Sequence, residues 1–243
     1  MSTPLLNRRR LMMGSMSNVP PIECPYITNG LVFWLDGEFG IANEQWTDLI
    51  GMIKFNMVGN VYHSGKRMVF AGGYCNYQGH LPFDLSQGTF HICCKFPNAG
   101  SSQQNWVCRF SKIDLSQGTT PQPIPLLERT GRKLSFTSIE EPTVELPASW
   151  TAPEFTFTKV GISTTGDSGD LVVLNKSQNL TFSSTQQWTL GDSNQSDIGR
   201  RNYTQGATFQ GEIMSILFYN RKLSLAEVLF NQQVDNTRFN LGL

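Results

Sequence analysis

The chain has few charged residues and no excess of either sign. Lysine plus arginine (19) balance aspartate plus glutamate (19), and charged residues make up 16% of the 243 positions. A chain without a basic surplus has little electrostatic attraction for a polyanion, so nucleic acid is not an expected partner. The low charge and the 22 glycines instead favour a sheet protein with many turns and a neutral polar surface.

Long apolar runs are missing as well. No segment approaches the ~20 consecutive apolar residues that a membrane-spanning helix needs. Near the N-terminus, Leu11-Met12-Met13 is too short for the core of a signal peptide, because Gly14 and Ser15 follow it directly. The sequence therefore predicts neither a membrane span nor ordinary secretion.

The five cysteines lack the spacing of a disulfide framework or of a Cys-x-x-Cys metal knuckle. Cys93 and Cys94 are adjacent in an apolar run, so on a strand their side chains would point to opposite faces. Burial as small hydrophobic free thiols is the favoured interpretation. Free thiols in turn favour assembly in a reducing cytoplasm.

What the chain does contain, from Gly30 onward, is a series of short β-rich runs separated by turn residues. In the run Thr89 to Phe96, every second residue from Phe90 onward is predicted to face the core, and the other face, which holds His91, is predicted to be wetter. With hardly any helical period, the pattern predicts an all-β fold, a two-sheet antiparallel β-sandwich or jelly roll. The clearest runs are Leu31 to Leu35, Arg67 to Phe70, Thr89 to Phe96, Trp106 to Phe110, Phe155 to Ile162, Leu171 to Leu174 and Ile213 to Tyr219.

One short helix is predicted near the C-terminus. Ser224 and Glu227 have the spacing of a capping box, in which each side chain bonds the backbone N–H of the other residue. Leu225, Val228 and Leu229 would form an apolar stripe on such a helix. The helix is expected to close the sandwich.

Residues 1–26 differ in composition from the rest of the chain. Three consecutive arginines, several methionines and a Pro-Pro pair leave this segment without a period with which to fold alone. We interpret residues 1–26 as an extended basic arm and residues 27–243 as one folded domain. The arm is either a solvated tail or a docking segment that binds other structural proteins. The residues of the docking hypothesis are Leu5, Leu6, Arg8, Arg9, Arg10, Leu11, Met12 and Met13.

Several runs resemble one family. FQGEIMSILFYNRKLSLAEVLFNQ (Phe209 to Gln232) resembles the closing strand, turn and helix of laminin-G-like jelly rolls of the concanavalin A-like type. GLVFWLDG (Gly30 to Gly37) is similar to the opening strand of that family, and LSQGTFHICCKF (Leu85 to Phe96) to its central buried strand. The resemblance implies a laminin-G-like β-sandwich. It also implies binding of carbohydrate or protein in most members and glycoside cleavage in relatives, because the fold alone does not select a function.

Residues typical of catalysis on this fold are not found in the sequence. Glucanases that resemble this family place an acid and a nucleophile on one strand in the pattern Glu-x-Asp-x-x-Glu, which is absent here. Asp36 and Glu38 lie two residues apart, but Asp36 matches a turn residue of the family pattern. The three histidines, His63, His80 and His91, stand in no catalytic motif and are expected on the surface or on strands. We therefore expect that the protein is not an enzyme.

Many laminin-G-like domains bind calcium through acidic side chains and carbonyl groups. Ala71 and Met214 stand where the resemblance would place aspartates, and methionine cannot replace a carboxylate as a calcium ligand. The segment Gly191 to Asp197 is rich in oxygen ligands but is interpreted as a plain turn. No cofactor is predicted, although calcium is compatible with that segment.

Glycan recognition needs aromatic rings that stack on sugar faces and planar amide or carboxylate partners for hydroxyl groups. Such residues are dense between Trp188 and Tyr203, and again at Tyr74 to Tyr77. Core packing of Trp188 and Tyr203 is the alternative. We predict a glycan site formed by Trp188, Asp192, Asn194, Asp197, Arg200 and Tyr203.

Together these observations favour a non-enzymatic binding or structural module. The basic, methionine-rich arm is similar to leaders on structural proteins of tailed phages, so the first hypothesis is a virion decoration or fibre protein, assembled in the host cytoplasm, that binds glycans. The second is an extracellular or cell-surface bacterial carbohydrate-binding protein or adhesin. The third is a divergent glycoside hydrolase or lyase. A homo-oligomer is compatible with each of the three.

Overall fold

The computed structural model describes residues 22–79, 81, 88–96, 104–110, 124–130, 133–135, 144–145, 154–160, 169–175, 178–184, 196–200 and 209–242. Within these ranges the chain forms seventeen β-strands and one α-helix, α1 (Leu225–Phe239). The strands are β1 (Leu31–Asp36), β2 (Ile41–Ala42), β3 (Gln45–Thr47), β4 (Lys54–Val58), β5 (Val61–Ser64), β6 (Arg67–Ala71), β7 (Tyr74–Tyr77), β8 (Thr89–Lys95), β9 (Gln104–Phe110), β10 (Ile124–Thr130), β11 (Lys133–Ser135), β12 (Val144–Glu145), β13 (Glu154–Val160), β14 (Gly169–Asn175), β15 (Gln178–Ser184), β16 (Ser196–Ile198) and β17 (Gln210–Tyr219).

The strands form two antiparallel sheets. Sheet A has the strand order β15-β14-β13-β8-β17-β6-β5, and β1 pairs with the second half of β17 while β6 pairs with the first half. Sheet B has the order β12-β11-β10-β9-β16-β7-β4-β3-β2. The prediction of an all-β, two-sheet antiparallel sandwich with a C-terminal helix is confirmed.

The main core lies between the two sheets. Fully buried aromatic residues of sheet A, such as Phe33 and Phe90, belong to one cluster with Trp46 and Phe55 of sheet B. The rings of Phe33 and Phe55 meet edge to face, with centroids 6.1 Å apart. Burial of each such side chain stabilises the fold by about 1.5–3 kcal/mol. Alternate residues of β8 from Phe90 onward lie in this core, as the sequence pattern predicts.

The opposite face of sheet A is covered at its middle strands, β1, β8 and β17. Trp34 of β1 and Leu217 of β17 form a second apolar cluster with Val228 of α1 and with Tyr26, which precedes β1. The segment Ile213 to Tyr219 is consequently buried on both faces. Apart from Ser215, this segment is apolar on both faces, which is typical of an inner strand.

Helix α1 also changes the environment of β8. His91 and Cys93, on the face predicted to be wetter, are fully buried, so that prediction was wrong. The reason is that α1 packs over this face, where Asp235 of the helix contacts His91 with 2.6 Å between Oδ2 and Nε2. The covering element lies more than 130 residues away along the chain and leaves no trace in the sequence of the strand itself.

The five cysteines are free thiols, as predicted. Cys75, Cys93, Cys94 and Cys108 are buried, and Cys24 is half-buried. Burial raises the pKa of the Cys24 thiol to about 11. At neutral pH these side chains therefore act as small hydrophobic groups rather than as nucleophiles.

The predicted arm falls mostly beyond the described part of the chain. Residues 22–26 are described and lie against the domain, where Tyr26 is buried. All residues of the docking hypothesis, Leu5, Leu6, Arg8, Arg9, Arg10, Leu11, Met12 and Met13, lie outside the described residues, so that hypothesis stays a prediction. None of the described helical structure has the length and apolar character to cross a membrane.

Helix α1 begins at the capping box that the sequence predicts. The Glu227 N–H donates to Ser224 Oγ (3.4 Å), and the Ser224 N–H donates to Glu227 Oε2 (2.9 Å). Arg221 donates two further hydrogen bonds to the Glu227 carboxylate, at 2.6 and 3.0 Å. The Arg221 guanidinium holds the pKa of Glu227 at about 2, below its ordinary value of 4.5.

We expect Glu227→Gln to destabilise the fold by about 1 kcal/mol or less, because the carboxylate is partly exposed and salt screens the ion pair. Since the folded-state pKa is lowered, the advantage of the wild type is complete above pH 4.5 and is lost as the pH falls through about 2. Urea denaturation of the wild type and of Glu227→Gln across this pH range measures the difference in their free energies of unfolding. Glu44→Gln is the control for an exposed loop carboxylate. A difference that does not shrink at low pH would contradict the assignment.

Candidate functional site

A buried polar network lies between α1 and sheet A. Its centre is Asp235, which accepts hydrogen bonds from the Tyr26 hydroxyl (2.6 Å) and the Ser215 hydroxyl (3.0 Å) on Oδ1 and contacts His91 Nε2 on Oδ2 (2.6 Å). All four side chains are buried. Desolvation and the neighbouring Asp235 carboxylate raise the pKa of Tyr26 well above its ordinary value, so its hydroxyl remains a donor.

The network continues through Arg238, one turn further along α1. Its guanidinium donates to both carboxylate oxygens of Asp36, at 2.7 and 3.1 Å, and to the Tyr26 hydroxyl at 3.0 Å. It also contacts Glu38, which pairs with Lys66 at 3.3 Å. Both carboxylates that sequence analysis weighed as catalytic thus contact one arginine of the C-terminal helix, a bidentate arrangement that orients planar groups strongly.

This network contains a serine, a histidine and an aspartate, but not in the order that nucleophilic catalysis needs. In a catalytic triad the histidine bonds the hydroxyl and the carboxylate orients the histidine. Here the carboxylate of Asp235 lies at the centre, and the Ser215 hydroxyl donates to it. All three side chains have no exposed surface. The arrangement therefore stabilises the packing of α1 on sheet A.

The outer face of sheet B carries polar side chains where its inner face carries apolar ones. Strand alternation turns Trp46, Phe55, Cys75 and Ile198 into the core, so the residues between them face outward. Strand pairing places four outward residues in one row across the sheet: Gln45, Asn56, Asn76 and Asp197. We call these four residues the polar row. Three of them carry planar amides, and the first two are joined by a hydrogen bond of 3.0 Å.

An arginine and a tyrosine lie beside the polar row. Tyr74 is two residues before Asn76 on the same face, and the guanidinium carbon of Arg200 lies 3.6 Å from the centre of its ring. The same guanidinium donates from Nη2 to Asp197 Oδ1 at 3.0 Å. Arg109 of β9 is the Cα partner of Asp197 on its other side. Aromatic, amide, carboxylate and guanidinium groups are therefore neighbours on this face.

The structure places only part of the glycan site predicted from sequence. Asp197 and Arg200 are described, lie on sheet B and are paired with each other. Both are buried, Asp197 fully and Arg200 with 9% of its surface exposed. The remaining members, Trp188, Asp192, Asn194 and Tyr203, lie outside the described residues, so the composition of that site stays a prediction.

Sequence reasoning missed two members of the polar row, Gln45 and Asn56. The available signal was the alternation of an apolar core residue with an amide, as in Gln45-Trp46 and Phe55-Asn56. That signal identifies an outward amide on each strand. It does not say that the strands are neighbours in register, which depends on pairing between distant segments.

Metal ions need a set of ligating side chains that lie close together. In the part of the chain that the structure describes, no three His, Cys, Asp or Glu side chains lie close enough together to hold a metal ion. Most of the oxygen-rich segment Gly191 to Asp197 lies outside that part. Asp197 itself pairs with Arg200.

No family model and no curated protein matches the chain, but solved structures match its fold. A Trypanosoma rangeli sialidase in complex with sialic acid superposes with a TM-score of 0.58 at 15% identity, over 93% of this chain and 35% of that chain. Another structure of Trypanosoma rangeli sialidase gives 0.59 at 17% identity, over 93% and 36%. The botulinum neurotoxin serotype D binding domain gives 0.54 at 10% identity, over 84% and 52%.

The chain thus spans about a third of the sialidase chain and about half of the toxin binding domain. At identities this low the likeness shows a shared fold alone. It agrees with the β-sandwich derived from the strand pairing. The function of this chain has to be argued from its own residues.

Proposed function

We propose that the chain is a non-enzymatic glycan-binding β-sandwich that binds sugars on the outer face of sheet B. The observation that carries the proposal is the polar row, because its three planar amides lie in one line and can form paired hydrogen bonds with the hydroxyl groups of successive sugars, while the buried Asp197 holds Arg200 beside them. Tyr74 beside the row, with Arg200 over one face of its ring, adds an aromatic edge for contact with a sugar. Since α1 covers the middle of the outer face of sheet A, at β1, β8 and β17, we place the ligand on sheet B.

The comparisons support this proposal without deciding it. One matching structure is a sialidase that holds a sugar, sialic acid, and another is a toxin's binding domain. The bound sialic acid and the binding role are properties of those two proteins. The chain is similar to each in the arrangement of its strands, so binding of a saccharide is a reasonable first test for it.

A glycan array followed by titration calorimetry tests the proposal. We expect Asn76→Ala and Tyr74→Ala each to weaken binding of any array ligand by about three- to tenfold, because each removes one hydrogen bond or stacking contact. Tyr62→Ala is the matched control, since Tyr62 is an exposed tyrosine (48%) on β5 of sheet A. Absence of binding to every glycan, or equal losses in the control, would overturn the proposal.

The absence of catalysis is part of the same proposal. Release of reducing ends from a panel of polysaccharides would contradict it, provided that the release is abolished by Glu38→Gln. Asp36 is less suitable for this test, because its buried ion pair with Arg238 makes any substitution there a structural change. We expect no release above the buffer control.

For the biological setting we propose a virion decoration or fibre protein, with residues 1–26 as the anchor. The basic, methionine-rich composition of this arm and the five free thiols support assembly without export. Co-sedimentation of the full chain with phage particles, compared with a chain that begins at residue 22 and so keeps the buried Tyr26, tests it. Equal behaviour of both chains would favour the alternative of a bacterial surface protein.

A further inference from the structure

Arg200 is restrained by two contacts on the outer face of sheet B. Its guanidinium carbon lies over the Tyr74 ring, 3.6 Å from the ring centre. Its Nη2 donates to Asp197 Oδ1 at 3.0 Å, and its side chain is only 11% exposed. These two contacts restrain the position of the guanidinium group.

The buried Nε of Arg200 has no hydrogen-bond partner among the described residues. A guanidinium carries five N–H donors in a rigid fork. Leaving a buried donor of a charged group unpaired costs free energy, so each such donor needs an explanation, for example a water or an ion that completes it. Arg200 thus has one oriented donor left to pair beside the polar row.

One further basic residue lies beside this group in the strand register. Arg109 of β9 is the Cα partner of Asp197, so two arginines and one aspartate occur together in this part of sheet B. A ligand of negative charge suits that composition better than a neutral one.

We infer that the sugar bound at the outer face of sheet B carries a carboxylate, as a uronic acid or another acidic sugar does, and that Arg200 is its anchor. The inference rests on the glycan-binding function proposed above and names the class of sugar. A carboxylate is planar and matches the fork of the guanidinium, whereas a hydroxyl group accepts a single bond. The amides of the polar row would then bind the hydroxyl groups of the same or the next sugar.

The first test compares two ligands that differ only in charge. Titration calorimetry with the wild-type chain uses a galacturonic acid oligosaccharide and its fully methyl-esterified form, after a glycan array that includes neutral, carboxylated and sulfated sugars. We expect the free acid to bind at least about tenfold more tightly than the ester, because charge-assisted hydrogen bonds are about twice as strong as neutral ones. Its affinity should fall with added salt, and that of the ester should not.

The second test uses variants that avoid leaving a buried charge unpaired. Arg200→Lys keeps the charge of the pair but loses the planar fork, and we expect it to weaken binding of the acid by about tenfold and to leave binding of the ester within about twofold. Asp197→Asn combined with Arg200→Gln removes both charges of the pair, and we expect it to weaken binding of the acid by at least as much as Arg200→Lys does. Lys222→Gln, at an exposed position before α1, is the control for a lost positive charge. Thermal melting of each variant verifies folding.

The outcomes separate this inference from the proposed function. Preference for the acid that depends on Arg200 supports both. Equal binding of acid and ester, binding of neutral sugars alone, or a preference for sulfated sugars over carboxylated ones overturns the inference and leaves glycan binding in place. Failure to bind any sugar on the array overturns both.

Discussion

Replacing Asp235 by alanine is expected to lower the free energy of unfolding by about 3–5 kcal/mol, a large part of the stability of a domain of this size. The carboxylate accepts from the hydroxyl groups of Tyr26 and Ser215 and contacts His91, and all of these groups are buried. Without it, several polar groups would lose a partner where water cannot replace it. Urea denaturation followed by tryptophan fluorescence measures the loss.

Two further variants make this expectation sharper. Asp235→Asn retains one acceptor oxygen and is expected to cost less, about 1–2 kcal/mol. Gln233→Ala, at an exposed position on the same helix, is the control and should cost about 0.5 kcal/mol or less. If Asp235→Ala lost no more than this control, the network would not hold α1 to sheet A.

The network matters for function because it decides which sheet face is covered. Tyr26, Asp235 and Arg238 join the segment before β1 and helix α1 to the outer face of sheet A. The apolar cluster around Trp34 then closes the face. With sheet A covered on both sides at β1, β8 and β17, we place the proposed sugar site on sheet B. A variant that releases α1 should therefore lower stability without removing the residues that bind the sugar.

Parts of the fold that depend on local sequence were predictable. The capping box at Ser224 and Glu227 is a four-residue pattern, and its hydrogen bonds are those that the pattern predicts. Likewise, the alternation from Phe90 onward identified the core face of β8, and the largely apolar segment Ile213 to Tyr219 of β17 is typical of an inner strand. Each of these features is encoded within one element.

Features that depend on contacts between distant elements were not predictable from one sequence. The burial of His91 depends on α1, 144 residues away at Asp235. The polar row depends on the pairing of β16 with β7, in which Asp197 is the Cα partner of Asn76. Both residues had been noticed for their chemistry, in two separate segments. Only the register of the strands makes them neighbours.

The same reasoning applies to Asp36, whose partner Arg238 is 202 residues away. By spacing alone, Asp36 and Glu38 are compatible with a catalytic pair and with a turn. In the structure the Asp36 carboxylate accepts from Arg238, from Trp34 Nε1 (3.0 Å) and from the Glu38 N–H (2.9 Å), with no surface exposed. Spacing along one strand could not distinguish these roles, because the deciding contact is made by the last turn of the chain's final helix.

A double-mutant cycle on Asp36 and Arg238 should show the second large effect on the free energy of unfolding. Arg238→Met leaves the Asp36 carboxylate buried without its counter-charge, and we expect it to cost about 3–5 kcal/mol of unfolding free energy. Asp36→Asn leaves Arg238 with Glu38 as its remaining carboxylate, at 3.4 Å, and should cost less because that arginine is 15% exposed.

In the combined variant, Asp36→Asn with Arg238→Met, neither charge is left unpaired. Its loss of unfolding free energy should therefore be smaller than the sum of the two single losses by at least about 1 kcal/mol. An interaction energy of this size is typical of residues that share one salt-bridge network. Urea denaturation of the four proteins under one set of conditions provides the cycle. Costs that simply add would mean that the two residues stabilise the fold independently, and that the ion pair is not what joins β1 to the end of α1.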